Sequence, residues 1–481
     1  MTILDMLRSF WPHLLAVIEV FAVLSATIHV LLNKRDVRAT VVWLVTIWFL
    51  PLLGSLLYVV LGVNRIQRRA RKLLGVKKPS ATTICNSIEE LKPGGLQQLR
   101  LLARMVDSVS GRALTNGNQI EPLVNGDEAF PLMLEAIESA TTSISLTTYI
   151  FDNDPLGRKF VDAFKGARER GVEIRVLVDS AGIRYSWPPI TRLLAEAGIP
   201  YGKFLPTSLF TPWKVATINL RNHRKLMVVD GRTAFTGGMN IRQGNLIKES
   251  PMNPVQDLHF RITGPLVAQL QEAFALDWSF TNGENLSGEK WFPSCDCSGN
   301  VVARVITDGP DEDYDKLRWT LLAALAEAQS SVQIVTPYFL PDSGLITALN
   351  MAALREVRVD IILPESSNLP YVHWASRCMW WQVLERGCHI WLTPPPFDHS
   401  KLMIVDGQWV FLGSANWDAR SLRLNFELNV EAYGKEFATK MEPILDLKLR
   451  SAREVTLAEV DGRSVGAKLR DSVARLFSPY L

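Results

Sequence analysis

The chain has 481 residues, which at about 100–200 residues per domain allows two or three domains. Charged residues make up 21% and hydrophobic ones 47%, apolar for a soluble enzyme, so part of the chain is expected in a membrane. Fifty-two Lys and Arg against 49 Asp and Glu leave +3, too balanced to argue for nucleic-acid binding from bulk charge, and the composition excludes collagen-like and wholly disordered chains.

The amino-terminal region carries two long apolar runs. Phe10 to Leu32 is interrupted only by His13, Glu19 and His29; Ala39 to Asn64 has no ionisable residue except Tyr58. At 1.5 Å per residue each run can cross a hydrocarbon core of about 30 Å as a helix. A signal peptide has a shorter apolar region and no second span so close behind it. A two-helix membrane hairpin over residues 1–64 is therefore expected, with Pro51 and Gly54 accommodated by a kink or by close packing. Seven basic residues follow the second run (Arg65, Arg68, Arg69, Arg71, Lys72, Lys77, Lys78) and three lie between the runs (Lys34, Arg35, Arg38). That asymmetry favours a cytoplasmic body, with residues 65–115 read as a basic juxtamembrane linker.

Beyond residue 115 the chain repeats itself. SISLTTYIF at Ser143–Phe151 leads through a helix-period segment to VEIRVLVD at Val172–Asp179. SVQIVTPYF at Ser331–Phe339 leads likewise to VRVDIILP at Val357–Pro364. Strand–helix–strand alternation argues for α/β layers with parallel strands. The Gly-, Asn- and Ser-rich stretch 282–300 reads as the linker between a first half, 116–281, and a second, 301–481. The five cysteines (Cys85, Cys295, Cys297, Cys378, Cys388) are odd in number and scattered, so neither a disulfide framework nor a zinc site is expected.

Each half then carries the same pattern, H-x-K-x4-D-x6-G-x2-N. The first copy is His223, Lys225, Asp230, Gly237 and Asn240; the second is His399, Lys401, Asp406, Gly413 and Asn416. With each of Lys, Asp, Gly and Asn at roughly 5% usage, the chain's histidines would produce it by chance about 4 × 10⁻⁵ times. Two occurrences at equivalent places are not accidental. Asp230-Gly231 and Asp406-Gly407 signal two-residue hairpin turns, which would set His223 opposite Gly238 and His399 opposite Ser414. Alternation along a strand projects His and Lys, two apart, to one side, with Asn240 and Asn416 on the same face. Imidazole, ammonium and carboxamide beside one small residue form a donor-lined anion site containing a nucleophile. On spacing alone Asp230 and Asp406 are turn-forming acids. Carboxylates that orient the imidazoles are sought after each hairpin, at Asp257 and Glu427, where an ordinary buried salt bridge is the competing reading.

These residues resemble the phospholipase D superfamily, whose members carry two HKD motifs, and within it the bacterial cardiolipin synthases. KRDVRATVVWLVTIWFLPLLGSLLYVVLG, RNHRKLMVVDG with FTGGMNI, GSANWDARSLRLNFELN and the terminal RLFSPYL carry the similarity. The resemblance implies an α/β fold of two pseudo-twofold-related halves with mixed sheets and one active site between them, using no metal and no nucleotide cofactor. It implies His223, Lys225, Asp230, His399, Lys401 and Asp406 as the catalytic set. It assigns the phosphate oxygens to Lys225, Asn240, Lys401, Ser414 and Asn416, and imidazole orientation to Asp257 and Glu427. One histidine, His223 by the family's usage, would form a phosphatidyl-histidine, and a second phosphatidylglycerol would resolve it to cardiolipin at the bacterial inner membrane. Hydrolysis of phosphatidylglycerol to phosphatidic acid is the alternative, and no nucleic-acid partner is expected. Phe204, Leu205, Leu209, Phe210 and Trp213 before the first motif, and Trp374, Trp380, Trp381 and Trp391 before the second, suit a lipid entry surface. Core packing is the competing reading, preferred for 369–386.

Overall fold

The computed structural model describes residues 3–34, 37–62, 99–206, 220–249, 252–310 and 315–478. The seven post-membrane basic residues, Cys85, Leu209, Phe210 and Trp213 lie outside them. The described residues form two units, the amino-terminal helices and the chain from residue 99 onward.

In the first unit the opening helix runs Ile3–Asn33, longer than the apolar run, with Pro12 inside it. Its apolar stretch Trp11–Asn33 has 23 residues, enough at 1.5 Å each to span a hydrocarbon core. The second run is not one helix. It divides into Val37–Phe49, Pro51–Leu57 and a wide turn at Tyr58–Gly62. The break falls at Leu50, because a proline disfavours helical backbone in the residue before it. Behind the break Gly54 lets the backbone close in; a Cβ there would lie 2.2 Å from the Thr46 carbonyl oxygen. His29 Nδ1 and Tyr58 Oη lie 2.7 Å apart, so the histidine that interrupts the first run meets a polar partner from the second.

The second unit is built on one sheet of fifteen strands, with a separate two-stranded ribbon. The first half supplies β1 (Thr115–Val124), β2 (Ser143–Thr148), β3 (Glu173–Asp179), β4 (Tyr201–Phe204), β5 (Leu226–Val229), β6 (Thr233–Gly237), β7 (Val255–Gln256) and β8 (Leu258–Thr263). The second supplies β9 (Val301–Asp308), β10 (Ser331–Val335), β11 (Arg358–Pro364), β12 (His389–Thr393), β13 (Phe397–Asp398), β14 (Leu402–Val405), β15 (Trp409–Gly413), β16 (Glu427–Tyr433) and β17 (Arg453–Val455). From the centre outward the first half reads β1-β8-β6-β5-β2-β3-β4 and the second β9-β16-β15-β14-β10-β11-β12-β17. These are the same order twice, joined where β1 pairs with β9, plus one extra edge strand. Each sheet is mixed: β2 and β10 run parallel to β3 and β11 but antiparallel to β5 and β14. Helices Asn125–Ser139 and Pro155–Glu169 bury Phe130, Phe160 and Phe164 against Ile144, Val176 and Phe235. Each such side chain contributes about 1.5–3 kcal/mol.

Residues 99–114 are not a linker. Leu99–Ser110 is a helix whose Leu99, Leu102, Ala103 and Val106 join the core of the second half beside Leu317, Leu321 and Ala324. Arg304 on β9 latches it, donating to the Ala103 carbonyl at 2.5 Å and reaching Asp107 at 3.2 Å. Arg304 is fully buried and pairs with Glu431 of β16, which also accepts from Trp409 Nε1 at 3.0 Å and Tyr433 Oη at 2.9 Å. Three donors on one carboxylate make this buried charge tolerable.

The motif hairpins differ by one residue from the expected register. Val229 pairs with Thr233 and Val405 with Trp409, so three residues rather than two lie between the strands. Asp230 and Gly231, with φ of 52° and 60°, and Asp406 and Gly407, at 53° and 60°, take the left-handed backbone of the turn. The ladder starts at Leu226, so His223 and Lys225 precede β5 in an extended segment and do not face Gly238 across it. The second motif is offset likewise. Gly237 and Gly413 are required at φ 152°, where a Cβ would lie 2.5 Å from the Leu258 or Leu428 carbonyl oxygen.

Asp230 and Asp406, placed in the catalytic set by resemblance, are both taken up by hydrogen bonds at the hairpin turns. The Asp230 carboxylate accepts the backbone N–H groups of Thr141, Thr142 and Ser143 at 2.9, 2.7 and 2.9 Å and both threonine hydroxyls at 2.9 Å. Asp406 accepts from Gln329, Ser330 and Ser331 in the same way. Partial burial would raise the Asp230 carboxyl, but those donors outweigh it and hold it below the usual range. Each motif aspartate thus clamps its hairpin turn to the start of β2 or β10. Asp230→Ala should destabilise the protein by about 2–4 kcal/mol, since hydrogen bonds to a charged acceptor contribute about 1.5–3 kcal/mol each and water replaces part of the loss. A thermal melt of the detergent-solubilised variant measures this, with turnover per folded molecule retained. A rate loss well beyond the loss of folded protein would return this acid to the chemistry.

Candidate active site

Each motif histidine is held by the opposite half. Asn222 forms a parallel bridge with Phe426; His223 N donates to the Phe426 carbonyl at 2.9 Å, and Phe426 N to the Arg221 carbonyl at 2.8 Å. In the other copy β13 pairs in parallel with β7, and His399 N donates to the Gln256 carbonyl at 2.8 Å. The next residue on each partner strand is the acid, so the imidazole–carboxylate pairs cross between halves. His223 Nδ1 lies 3.1 Å from Glu427 Oε2, and His399 Nδ1 lies 2.7 Å from Asp257 Oδ2. The sequence located both acids; that each serves the other half's histidine was not legible in it. The segments are pinned from behind by pairs of opposite polarity: Arg224 and Asn222 on Asp277, at 2.6 and 3.1 Å, and Asp398 on Lys448.

The acids differ in their surroundings. Glu427 accepts from Ser414 Oγ at 2.5 Å and Asn425 Nδ2 at 3.2 Å as well as facing His223. Burial would raise its carboxyl, but His223, Lys225 and Ser414 hold it below the ordinary value. Asp257 accepts from its neighbour Leu258 N at 2.8 Å, and burial pushes it up to about 7. At the position matching Ser414, Gly238 leaves no room for a side chain; a Cβ would sit 2.1 Å from Asp257 Oδ1. Ser414 is therefore bound to Glu427 and does not line the cavity that holds the histidines, contrary to its assignment to phosphate.

That cavity, of about 190 Å³, is lined by His223, His399, Asn240 and Asn416 from the two motifs. Burial lowers both imidazoles; His399 falls well below the usual value, with Lys401, Lys225 and His223 adding to the effect. The lysines are absent from the wall. Lys225 Nζ turns back to the His223 carbonyl at 2.6 Å and Lys401 Nζ to that of His399, both buried beside the acids. Desolvation brings Lys225 down to about 7 and Lys401 to about 8. Asn240 Oδ1 accepts from Ile150 N at 3.1 Å, which leaves its amide donors for a ligand. Asn416 Oδ1 is buried with no hydrogen-bond partner.

Sequence reasoning missed much of the remaining wall. Tyr149 packs edge-on to His223 at 5.3 Å; Tyr338 and Phe397 flank His399 at 6.3 and 6.0 Å. Arg221, Arg242 and Arg420 also line it. Arg221 and Arg420 lie within the stretches RNHRKLMVVDG and GSANWDARSLRLNFELN, but nothing in their spacing marks them. Of the aromatic residues proposed for lipid entry, Phe204 is fully buried against Phe280 and Phe426, and Trp380 is buried in the second core. Packing is the better account of both, while Trp381 stays exposed.

Comparison with known proteins agrees with this geometry. A family model described as "Cardiolipin synthase, PLD-like domain" matches residues 133–278 and 321–447, one segment in each half. A second, "Phospholipase_D-nuclease N-terminal", matches 21–62. The cardiolipin synthase of Oceanobacillus iheyensis is 30% identical over 461 residues, covering 94% of this chain and 95% of that protein. The major cardiolipin synthase ClsA of Bacillus subtilis is 30% identical over 482 residues, covering 97% and 99%. The crystal structure of phosphatidylserine synthase from Haemophilus influenzae has the same fold, with a TM-score of 0.60 at 15% identity, covering 79% of this chain and all of that one. With its apolar first helix, the protein is membrane-associated. The chain belongs to the cardiolipin synthase family of phospholipase D-like proteins.

Proposed function

We propose that the protein is a phosphatidyltransferase that joins two molecules of phosphatidylglycerol into cardiolipin and releases glycerol. The observation that carries this reading is the pair of imidazoles on the wall of one cavity, each oriented through Nδ1 by a carboxylate of the other half. Each Nε2 is left for chemistry. Displacement at phosphorus needs nucleophile and leaving group roughly in line, a requirement met by a phosphate bound between the two imidazoles.

Roles divide by the acids. Glu427 stays ionised, so His223 Nδ1–H donates to it and Nε2 carries the lone pair of a nucleophile. Asp257 titrates near neutrality, so the Asp257–His399 pair shares a proton and presents N–H at Nε2. His223 Nε2 attacks the phosphorus of the first lipid; the bond from phosphorus to the headgroup glycerol oxygen breaks, and that oxygen takes the proton from His399 Nε2. A glycerol hydroxyl of the second phosphatidylglycerol then attacks the phosphorus. Its proton returns to His399, the P–N bond breaks, and cardiolipin leaves. One phosphodiester replaces another, so no external energy is required. Lys225 and Lys401 supply positive potential, and Asn240 and Asn416 amide donors, to the equatorial oxygens.

Residues 1–64 act as a two-span anchor, with the halves 116–281 and 301–481 on the cytoplasmic side. The basic residues after the second run support that orientation.

Purified protein given labelled phosphatidylglycerol should release cardiolipin and glycerol. Phosphatidic acid in place of cardiolipin would make it a hydrolase, and no turnover would refute both. His223→Ala and His399→Ala should each lower turnover by at least about 10³-fold, as losing one member of an acid–base–nucleophile set does.

The lysines set a pH dependence. In the free enzyme their ammonium forms are lost as pH rises through about 7 and about 8. A bound phosphate anion favours the charged form and raises both values. Accordingly kcat/KM, which reports free enzyme, should fall with rising pH through that window, while kcat at saturating lipid holds to higher pH. Coincident descending limbs would remove the lysines from phosphate binding.

A further inference from the structure

The pseudo-twofold accounts for one phosphate only. Both histidines, both lysines and both motif asparagines serve the reacting phosphorus. The acceptor lipid brings a second phosphodiester, and in the product the two are separated by a single glycerol. That second phosphate must lie close to the first, and the duplicated residues are already committed.

The cavity has one wall that is not duplicated. Arg221, two residues before His223, stands where the second half has Phe397, two before His399. Arg420, four after Asn416, stands where the first half has Gly244. Beside His399 the lining residues are Tyr338 and Phe397. Arg221 is buried, with Nη1 3.7 Å from Asp179 Oδ1. Desolvation lowers its pKa, and the positive charges of Arg420 and Arg184 add to the effect. The nearest carboxylates also have backbone partners: Asp179 accepts from Asn222 N and Ala181 N at 2.9 and 2.8 Å, and Asp418 from Ser421 N at 2.7 Å. Guanidinium is the side chain suited to a phosphodiester, because its planar fork matches two oxygens at once and keeps its charge at any working pH.

We infer that Arg221 and Arg420 form a second phosphate subsite that holds the phosphodiester of the acceptor lipid, and so select phosphatidylglycerol over a neutral alcohol. The inference rests on the phosphatidyltransferase reading above. The two arginines come from different halves, so this subsite, like the histidine pairs, forms only across the interface.

The test uses the full-length protein in neutral detergent micelles with unlabelled phosphatidylglycerol as donor and two water-soluble acceptors, each labelled so that its transfer into lipid is counted. One is glycerol; the other is glycerophosphoglycerol, which carries the phosphodiester without acyl chains. Wild-type enzyme should transfer to glycerophosphoglycerol in strong preference to glycerol. Arg420→Gln should reduce that preference at least tenfold through a higher KM for glycerophosphoglycerol, and Arg420→Lys should keep part of it. The ratio is independent of how much protein is folded, so a poorly folding variant still gives an answer. An unchanged ratio overturns the inference, whether both rates fall together or neither does. A loss seen with lipid acceptors in vesicles but not with glycerophosphoglycerol also overturns it, because the arginines would then serve the anionic bilayer surface. Wild-type protein that transfers to no alcohol at all brings down the phosphatidyltransferase reading, and this inference with it.

Discussion

The structure depends on an exchange: the carboxylate that orients each catalytic imidazole comes from the other half of the chain. Two short parallel bridges, Asn222 with Phe426 and β13 with β7, make the exchange possible by laying each motif beside the strand that carries the opposite acid. Neither half alone holds its histidine in a defined tautomer. A shared site is then a condition of each histidine's reactivity, not a later addition to two finished domains. The pairing of β1 with β9, at Thr115 with Ala303 and Asn118 with Val301, joins the two halves into one sheet.

Much of this was legible in the sequence, because the chain says it twice. Two matched patterns identify the histidines, lysines and asparagines, and an acid follows each hairpin, though at different distances, Asp257 and Glu427. The crossing of the acids was not legible, since a repeat reports what is equivalent and not what is adjacent. The hairpin register was misjudged by one residue, because Asp-Gly fits a two-residue turn and a three-residue loop equally well. The HKD aspartates read as catalytic by resemblance, yet spacing alone marked them as turn acids, and the clamps on residues 141–143 and 329–331 agree with the spacing. Leu99–Ser110 was passed over because its apolar face is short and follows a polar stretch, and its partner Arg304 lies some two hundred residues away. Arg221 and Arg420 escaped notice for the opposite reason. They are the residues without a repeat.

Duplication supplies two identical tools, whereas transfer through a covalent intermediate needs two different ones. A nucleophile wants a lone pair beside a fixed negative charge; an acid–base wants a proton it can surrender and recover. On the mechanism proposed above, the roles divide along two linked differences between the halves. Where the acid is the longer Glu427, His223 and Lys225 lower its carboxyl and the Ser414 hydroxyl adds a further donor. Where the acid is the shorter Asp257, Gly238 gives it space but no donor, and burial pushes its carboxyl toward neutrality. The pairs are not exchangeable one residue at a time. A serine at Gly238 would collide with Asp257, and a glycine at Ser414 would leave Glu427 short of a donor.

The same logic of broken symmetry extends from protons to substrates. A symmetric cavity would treat two phosphatidylglycerol molecules alike, but the reaction must treat one as a donor and the other as an acceptor. Arg221 and Arg420, which have no counterpart in the other half, make the cavity lining unequal between the halves. Water is the competitor that a phosphatidyl-histidine must avoid, and water carries no phosphate. An acceptor anchored by its own phosphodiester brings its hydroxyl to phosphorus at high effective concentration. On the subsite inferred above, Arg221 and Arg420 set the balance between making cardiolipin and wasting the intermediate as phosphatidic acid, while the duplicated motifs set how fast the intermediate forms.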